Sequence, residues 1–497
     1  MNPRPAPSRL PFRALCSAVS ALSLVTGSLA PIAAARAQDQ GPPMVLIRDT
    51  EIEAILHEDA DPIFRAADID PKAVHIYIVG DPSLENMNSF VAGGQNMFVT
   101  TGLIMRTKNP NQLMGVMAHE TGHMAGGHLI RSSQGEKQVL AAYLLTIGLG
   151  ILAAVAGAPD AGAGLLYSSG YFAALTGAGF TRTQESSADQ AAVTYLEKSG
   201  HSARGLVEFF DNFRYEEVFE DARRYRFFMD HPLTSDRIAA LQVRAQQQSH
   251  YDVVDSPEAI AKHLIMIAKL RAFEDLPDQT FQDYPPSDTS FPGRYARAIA
   301  YYRDLQTDRA LKATDALIAE QPDDPYLYEL KGQILFEAGR AKEGDPVWRK
   351  AVELKPDAPL LQSLMAQDLI AEDDPSKLDD AILQLHRSLI TEPDSPYAWL
   401  FLSQAYDKKG DEGLARLAAA EENFYLGQSD DARSFAMRAR NMLPKGSPDW
   451  RRATDIVLVS KPTKNDLKML AQEGSITAPP PKHAAPPATT PAPTRTY

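Results

Sequence analysis

Cysteine is almost absent from this chain: one in 497 residues, Cys16, inside an N-terminal apolar run. The remaining residues can form neither a disulfide framework nor a thiolate metal cluster, so any metal site must draw on His, Asp and Glu. Basic charge is also short. Against 64 Asp and Glu stand 50 Lys and Arg, leaving a net −14. Affinity for a nucleic-acid backbone rests on many Lys and Arg neutralising phosphates, so no nucleic-acid partner is expected. What is present in quantity, 44% hydrophobic and 23% charged residues, is ordinary for a folded protein, and the length suggests about two to four domains.

Long apolar runs are few, and the first has an address-like context. Arg4, Arg9 and Arg13 precede a weakly apolar stretch from Ala14 to Ala34, and Ala35-Arg36-Ala37 supplies the small-x-small pattern of a secretory cleavage site before Gln38. Removal of this segment would take away four Arg and no acid, shifting the net charge from −14 to −18.

Further along, texture changes twice. Between Gln38 and about Asp255, short strand-like runs mix with helices. Val74 to Val79 alternates β-branched and aromatic residues, and Asn88–Ala92 and Met97–Thr100 flank Gly93-Gly94 like the arms of a hairpin. From about Ser256 to Lys461 strand signals fade and amphipathic helices take over. Pro322 and Pro356 lie 34 residues apart in similar Pro-Asp contexts, and Pro393 follows 37 later. Twelve residues before these prolines and before Pro444 stand Ala310, Gly344, Ala381 and Ala432, with Ala298, Gly332, Ala366 and Ala420 as partners on the preceding helices. All are small. The pattern resembles the tetratricopeptide repeat, in which small residues let antiparallel helices pack closely. The 51 residues from Pro393 to Pro444 exceed the period and predict an extra helix. The last 20 residues contain seven Pro and read as a disordered tail.

The segment with chemistry is Leu113-Met114-Gly115-Val116-Met117-Ala118-His119-Glu120-Thr121-Gly122-His123. On a helix, His119 and His123 sit about 40° apart and can bind one metal ion, while Glu120, about 100° round, reaches the water beside it. Such a carboxylate can take the proton of a water that attacks a carbonyl. Two continuations compete for the third ligand. Gly126 fits a His-x-x-Gly-x-x-His pattern, but the next required position is Leu129, and His128, one residue early, would lie about 180° from His119 if the helix continues. In Gln184-Glu185-Ser186-Ser187-Ala188-Asp189, Glu185 and Asp189 share a helical face. Glu185 can complete a two-His, one-Glu zinc site, with Asp189 accepting the free ring N–H of a ligating His, His119 being the better placed.

Together with Asn88-Ser89-Phe90-Val91-Ala92-Gly93-Gly94 and Phe98-Val99-Thr100-Thr101-Gly102-Leu103, these motifs resemble those of the M48 metallopeptidases. The signal segment and repeats add a likeness to the periplasmic, repeat-bearing branch of that family. The resemblance implies an α+β fold: a mainly helical, gluzincin-type metallopeptidase domain with a small β-sheet, followed by an all-α repeat domain. It implies one zinc ion per chain, endopeptidase activity on unfolded or misassembled outer-membrane proteins in the Gram-negative periplasm, and docking of the repeats onto outer-membrane assembly machinery. The segment His231-Pro232-Leu233-Thr234-Ser235-Asp236-Arg237 also fits the family. His231 could there hydrogen-bond the oxyanion, or bind zinc as a fourth ligand and keep the enzyme latent.

The chain thus divides into a signal peptide, 1–37; a metallopeptidase domain, 38–255; a helical repeat domain, 256–475; and a Pro/Ala-rich tail, 476–497. Within the second, residues 138–181 form an apolar stretch. Val139–Ala158 is long enough to cross a bilayer, yet a single crossing would put His123 and Glu185 on opposite sides of it. Two spans, Val139–Ala158 and Ala161–Thr181, are the alternative to the preferred reading, a flap making peripheral contact with membrane or unfolded substrate. The Asn88–Ala92 strand is a candidate edge for an extended peptide. The alternative function is a repeat scaffold or chaperone whose metal site is structural or latent.

Overall fold

The computed structural model describes residues 45–80, 87–92, 94–128, 182–213, 231 and 234–476. The signal peptide, the 138–181 stretch and the tail beyond residue 476 lie outside the described residues. Among the described residues no helix is long and apolar enough to cross a membrane.

The chain is α+β, with one small sheet near its start and helices thereafter. Strands β1 (Val45–Ile47), β2 (His75–Gly80), β3 (Ser89–Ala92) and β4 (Asn96–Thr100) are ordered β1-β2-β4-β3. The hairpin read from Gly93-Gly94 is present, with Ser89 opposite Val99 and Ala92 opposite Asn96. β2 joins β4 in parallel, Tyr77 beside Phe98. Because side chains alternate along a strand, one face sends Ile76, Ile78, Val91, Met97 and Val99 into the core. The other stacks Tyr77 on Phe98 at 5.1 Å and Phe98 on Phe90 at 4.8 Å between ring centres.

Helix α1 (Thr50–Ala66) starts where the Asp49 carboxylate accepts the Ile52 N–H at 2.9 Å, with Glu51 and Glu53 favourably placed in the first turn. Thr100 ends β4 and caps α2 (Thr101–Arg106) by accepting the Leu103 N–H. Its hydroxyl also donates to the Asn88 carbonyl at 2.9 Å, tying strand end, cap and hairpin together. Helix α3 (Pro110–Ala125) begins with Asn109 as cap and Pro110 in its first turn, where a missing N–H costs nothing. Most of α3 is buried, because α4 (Arg182–Lys198), α5 (Arg204–Phe213) and α1 all pack on it. A Cβ on Gly122 would stand 2.8 Å from the Ala188 carbonyl oxygen of α4. Only glycine admits that approach. Helix α6 (Ser235–Gln246) closes this part, its Ile238 and Leu241 in the same core.

Helices α7 (Pro257–Glu274), α8 (Pro277–Asp283), α9 (Phe291–Arg303) and α10 (Thr307–Glu320) follow, then α11 (Pro325–Glu337), α12 (Ala341–Leu354), α13 (Pro359–Ala371) and α14 (Leu378–Thr391). The run ends in α15 (Pro396–Lys409), α16 (Glu412–Tyr425), α17 (Ser429–Met442), α18 (Pro448–Val459) and α19 (Lys464–Gln472). From α9 to α18 each helix packs on the next. The small residues singled out above lie at these contacts. Ala298, Ala310, Ala366, Ala381, Ala420 and Ala432 are fully buried, and a Cβ on Gly332 would meet the Trp348 ring at 2.4 Å. Three helices, not two, occupy the interval between Pro393 and Pro444, the extra helix that its length predicts. α7 serves two cores at once: Met266 and Leu270 pack with the sheet and α3, while Ala268 and Ala272 pack with α9 and α11.

A buried polar cluster fastens the start of α1 to the later helices. Lys269 Nζ lies 2.8 Å from Asp49 and 3.0 Å from Glu51, the Tyr295 hydroxyl donates to Glu51 at 2.9 Å, and the Thr50 hydroxyl donates to Glu329 at 2.7 Å. Farther out, Arg48 pairs with Glu392. Burial lifts the Glu329 carboxyl from the ordinary 4.5 to about 8, against the pull of Lys269. A raised carboxyl holds in the folded chain a proton that the unfolded chain releases near 4.5. Its contribution to stability is therefore complete below about 4.5 and is lost as pH rises through about 8. Glu329→Gln should flatten the stability curve across that window in thermal melts at a series of pH values; an unflattened curve would show that another group carries the dependence.

Candidate metal centre

Four side chains from three segments converge. His119 and His123 come from one face of α3, Glu185 from the first turn of α4, and His231 from the segment just before α6. All four are buried, and one donor atom from each lies within 4.8 Å of the others. His119 Nε2 stands 3.1 Å from His123 Nε2 and 3.3 Å from His231 Nδ1. Glu185 Oε1 is 3.3 Å from His123 Nε2 and 3.1 Å from His231 Nδ1, and its Oε2 is 3.5 Å from His119 Nε2.

These separations test the fit of a metal. Four ligands at zinc bond lengths of about 2.0–2.1 Å form a tetrahedron whose edges are about 3.3–3.4 Å. The four distances that join one donor atom per residue, His119 Nε2, His123 Nε2, His231 Nδ1 and Glu185 Oε1, run from 3.1 to 3.3 Å and lie close to those edges. The chemistry agrees. On the far side of its ring His119 Nδ1 is 3.0 Å from the Asp189 carboxylate. A carboxylate accepts, so Nδ1 carries the proton and Nε2 turns a lone pair toward the centre. Neutral nitrogen donors and a carboxylate facing one point suit a divalent cation.

The electrostatics point the same way. Burial pushes His123 down to about 3, keeping the ring neutral and available as a donor. Burial would also lower His119, but hydrogen bonds with Asp189 and Glu185 outweigh it and raise the ring to about 10. That field favours positive charge at His119, and a cation on Nε2 satisfies it. Burial would raise Glu185 as well, yet the three surrounding His rings hold its carboxyl far below the usual range. Glu120 sits beside the four, fully buried, with Oε1 3.5 Å from His231 Nε2.

Every site residue named from the sequence is in this cluster or touches it. Two neighbours lie outside that set. A continuing α3 would point His128 away from the centre, but the helix stops at Ala125 and Gly127 takes a left-handed φ of 61°. The chain folds back, and His128 Nδ1 lies 3.1 Å from His123 Nδ1. Arg237, at the end of the segment that begins with His231, takes on a role only in the folded chain. It reaches Asp189 with Nε at 2.8 Å and a terminal nitrogen at 2.9 Å, and its other terminal nitrogen lies 3.0 Å from Glu185. Its place six residues after His231 was the only available signal.

Residues 47–245 match the description Peptidase family M48. This stretch belongs to that family. The M48 region contains all of α3 and α4 and all but the last residue of α6, and with them every residue of the cluster. The chain is also similar to the β-barrel assembly-enhancing protease of Yersinia pestis, 25% identical over 393 residues that cover 76% of this chain and 77% of the relative. Against the protein of that name from Escherichia coli K12 it is 26% identical over 389 residues, 75% of each chain. A putative one from Vibrio cholerae is 26% identical over 370 residues, 73% of this chain and 75% of the relative. The likeness thus extends beyond the M48 region into the helices after it. The protein is a metallopeptidase, and zinc is the metal of the M48 family that this stretch matches.

The Asp189 contact generates a prediction. Asp189→Asn keeps the shape but exchanges a fixed acceptor for an amide that can present its NH₂ to His119. Zinc affinity should fall by about 10–100-fold, read by competition with a chromogenic chelator; affinity equal to the wild type would show that the ring is held by other means.

Proposed function

We propose that the chain is a secreted, periplasmic zinc endopeptidase acting on unfolded or misassembled outer-membrane proteins, with its helical repeats docking to assembly machinery. The observation that carries the reading is the convergence of His119, His123, Glu185 and His231 with Glu120 alongside. In this reading His119, His123 and Glu185 hold the metal, and Asp189 fixes the His119 ring. Bound zinc supplies a Lewis acid that acidifies water and polarises the scissile carbonyl.

The rest is done by side chains of this protein. Glu120 accepts the proton of the attacking water as its oxygen bonds to the carbonyl carbon. The same carboxyl then gives that proton to the amide nitrogen as the C–N bond breaks, so it ends the cycle as it began. His231 has two possible employments. Its Nδ1, 3.1 Å from Glu185 and 3.3 Å from His119, favours the fourth position around the metal, where it blocks water and keeps the resting enzyme latent. Once displaced by substrate, its ring N–H is free to donate to the oxyanion.

Strand β3 supports an extended, main-chain mode of substrate binding. Among the described residues it is the last strand of the sheet, and it packs along α3. A peptide added there would be recognised through backbone hydrogen bonds with little sequence preference, which suits unfolded clients. The site of action and the docking role lean on the secretory segment, the repeats and the names of the relatives.

Two variants test the chemistry. Glu120→Gln should retain zinc by elemental analysis and lose casein cleavage; undiminished cleavage by the variant would remove Glu120 as the base, and a zinc-loaded wild type that cleaves nothing would favour a scaffold or chaperone with a structural metal. His231→Ala should raise the cleavage rate at least several-fold. A fall would assign it to the oxyanion instead, and an unchanged rate would remove it from the site.

A further inference from the structure

We infer that Arg237 is the positioning residue of the metal centre: its guanidinium holds the Glu185 and Asp189 carboxylates in one fixed relation and thereby sets two metal ligands at once. The inference rests on the reading of His119, His123 and Glu185 as ligands.

Glu185 and Asp189 are one turn apart on α4, both buried and both acidic. Like charges at that spacing repel, and burial strengthens the repulsion. Arg237 comes from another helix to separate them. All three of its nitrogens are engaged: Nε on Asp189 Oδ2 at 2.8 Å, one terminal nitrogen on Asp189 Oδ1 at 2.9 Å, and the other on Glu185 Oε2 at 3.0 Å. The side chain is itself buried, with its guanidinium carbon 5.8 Å from the centre of the Phe210 ring. Its backbone is anchored too, since the Arg237 N–H is accepted by the Thr234 cap of α6.

Two consequences reach the metal. Asp189 Oδ1, the oxygen that Arg237 fixes, is also the one 3.0 Å from His119 Nδ1, so the guanidinium orients His119 through Asp189. At Glu185, Arg237 occupies Oε2 and leaves Oε1 directed at His123 and His231. With Oε2 paired to the guanidinium, Glu185 would offer a bound metal its Oε1. A lysine cannot substitute, because a single ammonium lacks the planar fork that spans two carboxylates.

The test uses the mature protein with Arg237→Lys and Arg237→Gln beside wild type. Zinc affinity is measured by chelator competition, the visible spectrum is taken after cobalt substitution, and thermal melting serves as a fold control. Both variants should bind zinc about 10–100-fold more weakly, and their cobalt absorption should weaken as Glu185 turns to present both oxygens. A residue with a merely structural role would lower the melting temperature and leave the cobalt spectrum of the folded protein as it was. The inference is overturned if Arg237→Lys binds zinc within about two-fold of wild type with an unchanged cobalt spectrum. Should Arg237→Gln fail to fold, Arg237→Lys decides. If the wild type itself binds no zinc, the ligand assignment falls, and this inference with it.

Discussion

Helices α3 and α4 meet where Gly122 faces Ala188, with 2.8 Å between the place a Cβ would take and the opposing carbonyl oxygen. Everything at the metal centre depends on that approach. Gly122 lies beside His123, and Ala188 lies between Glu185 and Asp189, so the smallest side chains mark the crossing while the donors flank it. A methyl group here would push the two backbones apart. Ligand distances tolerate only about 0.2 Å of error around a metal, so a shift of that kind would cost more in coordination than in packing.

Buried charge is the second constraint. Glu120, Glu185 and Asp189 bring three carboxylates into a closed space where Arg237 supplies one positive charge. A divalent cation brings the formal sum to zero, which is what a buried cluster requires if its ions are to be matched. Removing one partner of a buried pair typically costs about 3–5 kcal/mol. Fold and metal site are therefore coupled: the residues that would hold the ion also tie α4 to α3, and Arg237 ties α6 to α4.

Much of this was legible in the sequence because local spacing encodes it. His119, Glu120 and His123 follow from the helical period, Glu185 and Asp189 from a shared face, the β3–β4 hairpin from Gly93-Gly94, and the helix pairs from small residues at a repeat near 34. What was hidden depends on contacts between distant segments. The parallel placement of β2 beside β4 and the pairing of Val45–Ile47 with β2 have no local signature. The direction of His128 turned on where α3 stops, and the stop is a matter of backbone conformation at Gly127. Arg237 acquires meaning only once α6 is laid against α4.

The double duty of α7 bears on how the protein can be divided. Met266 and Leu270 complete the apolar interior that surrounds α3, yet they follow the point, near residue 255, at which the sequence changes texture. A fragment cut there would carry an open greasy wound where those two side chains had been, and would lose the Lys269 partner of Asp49 and Glu51. The hydrolytic half is not a portable module; the first helix after it is part of its own floor.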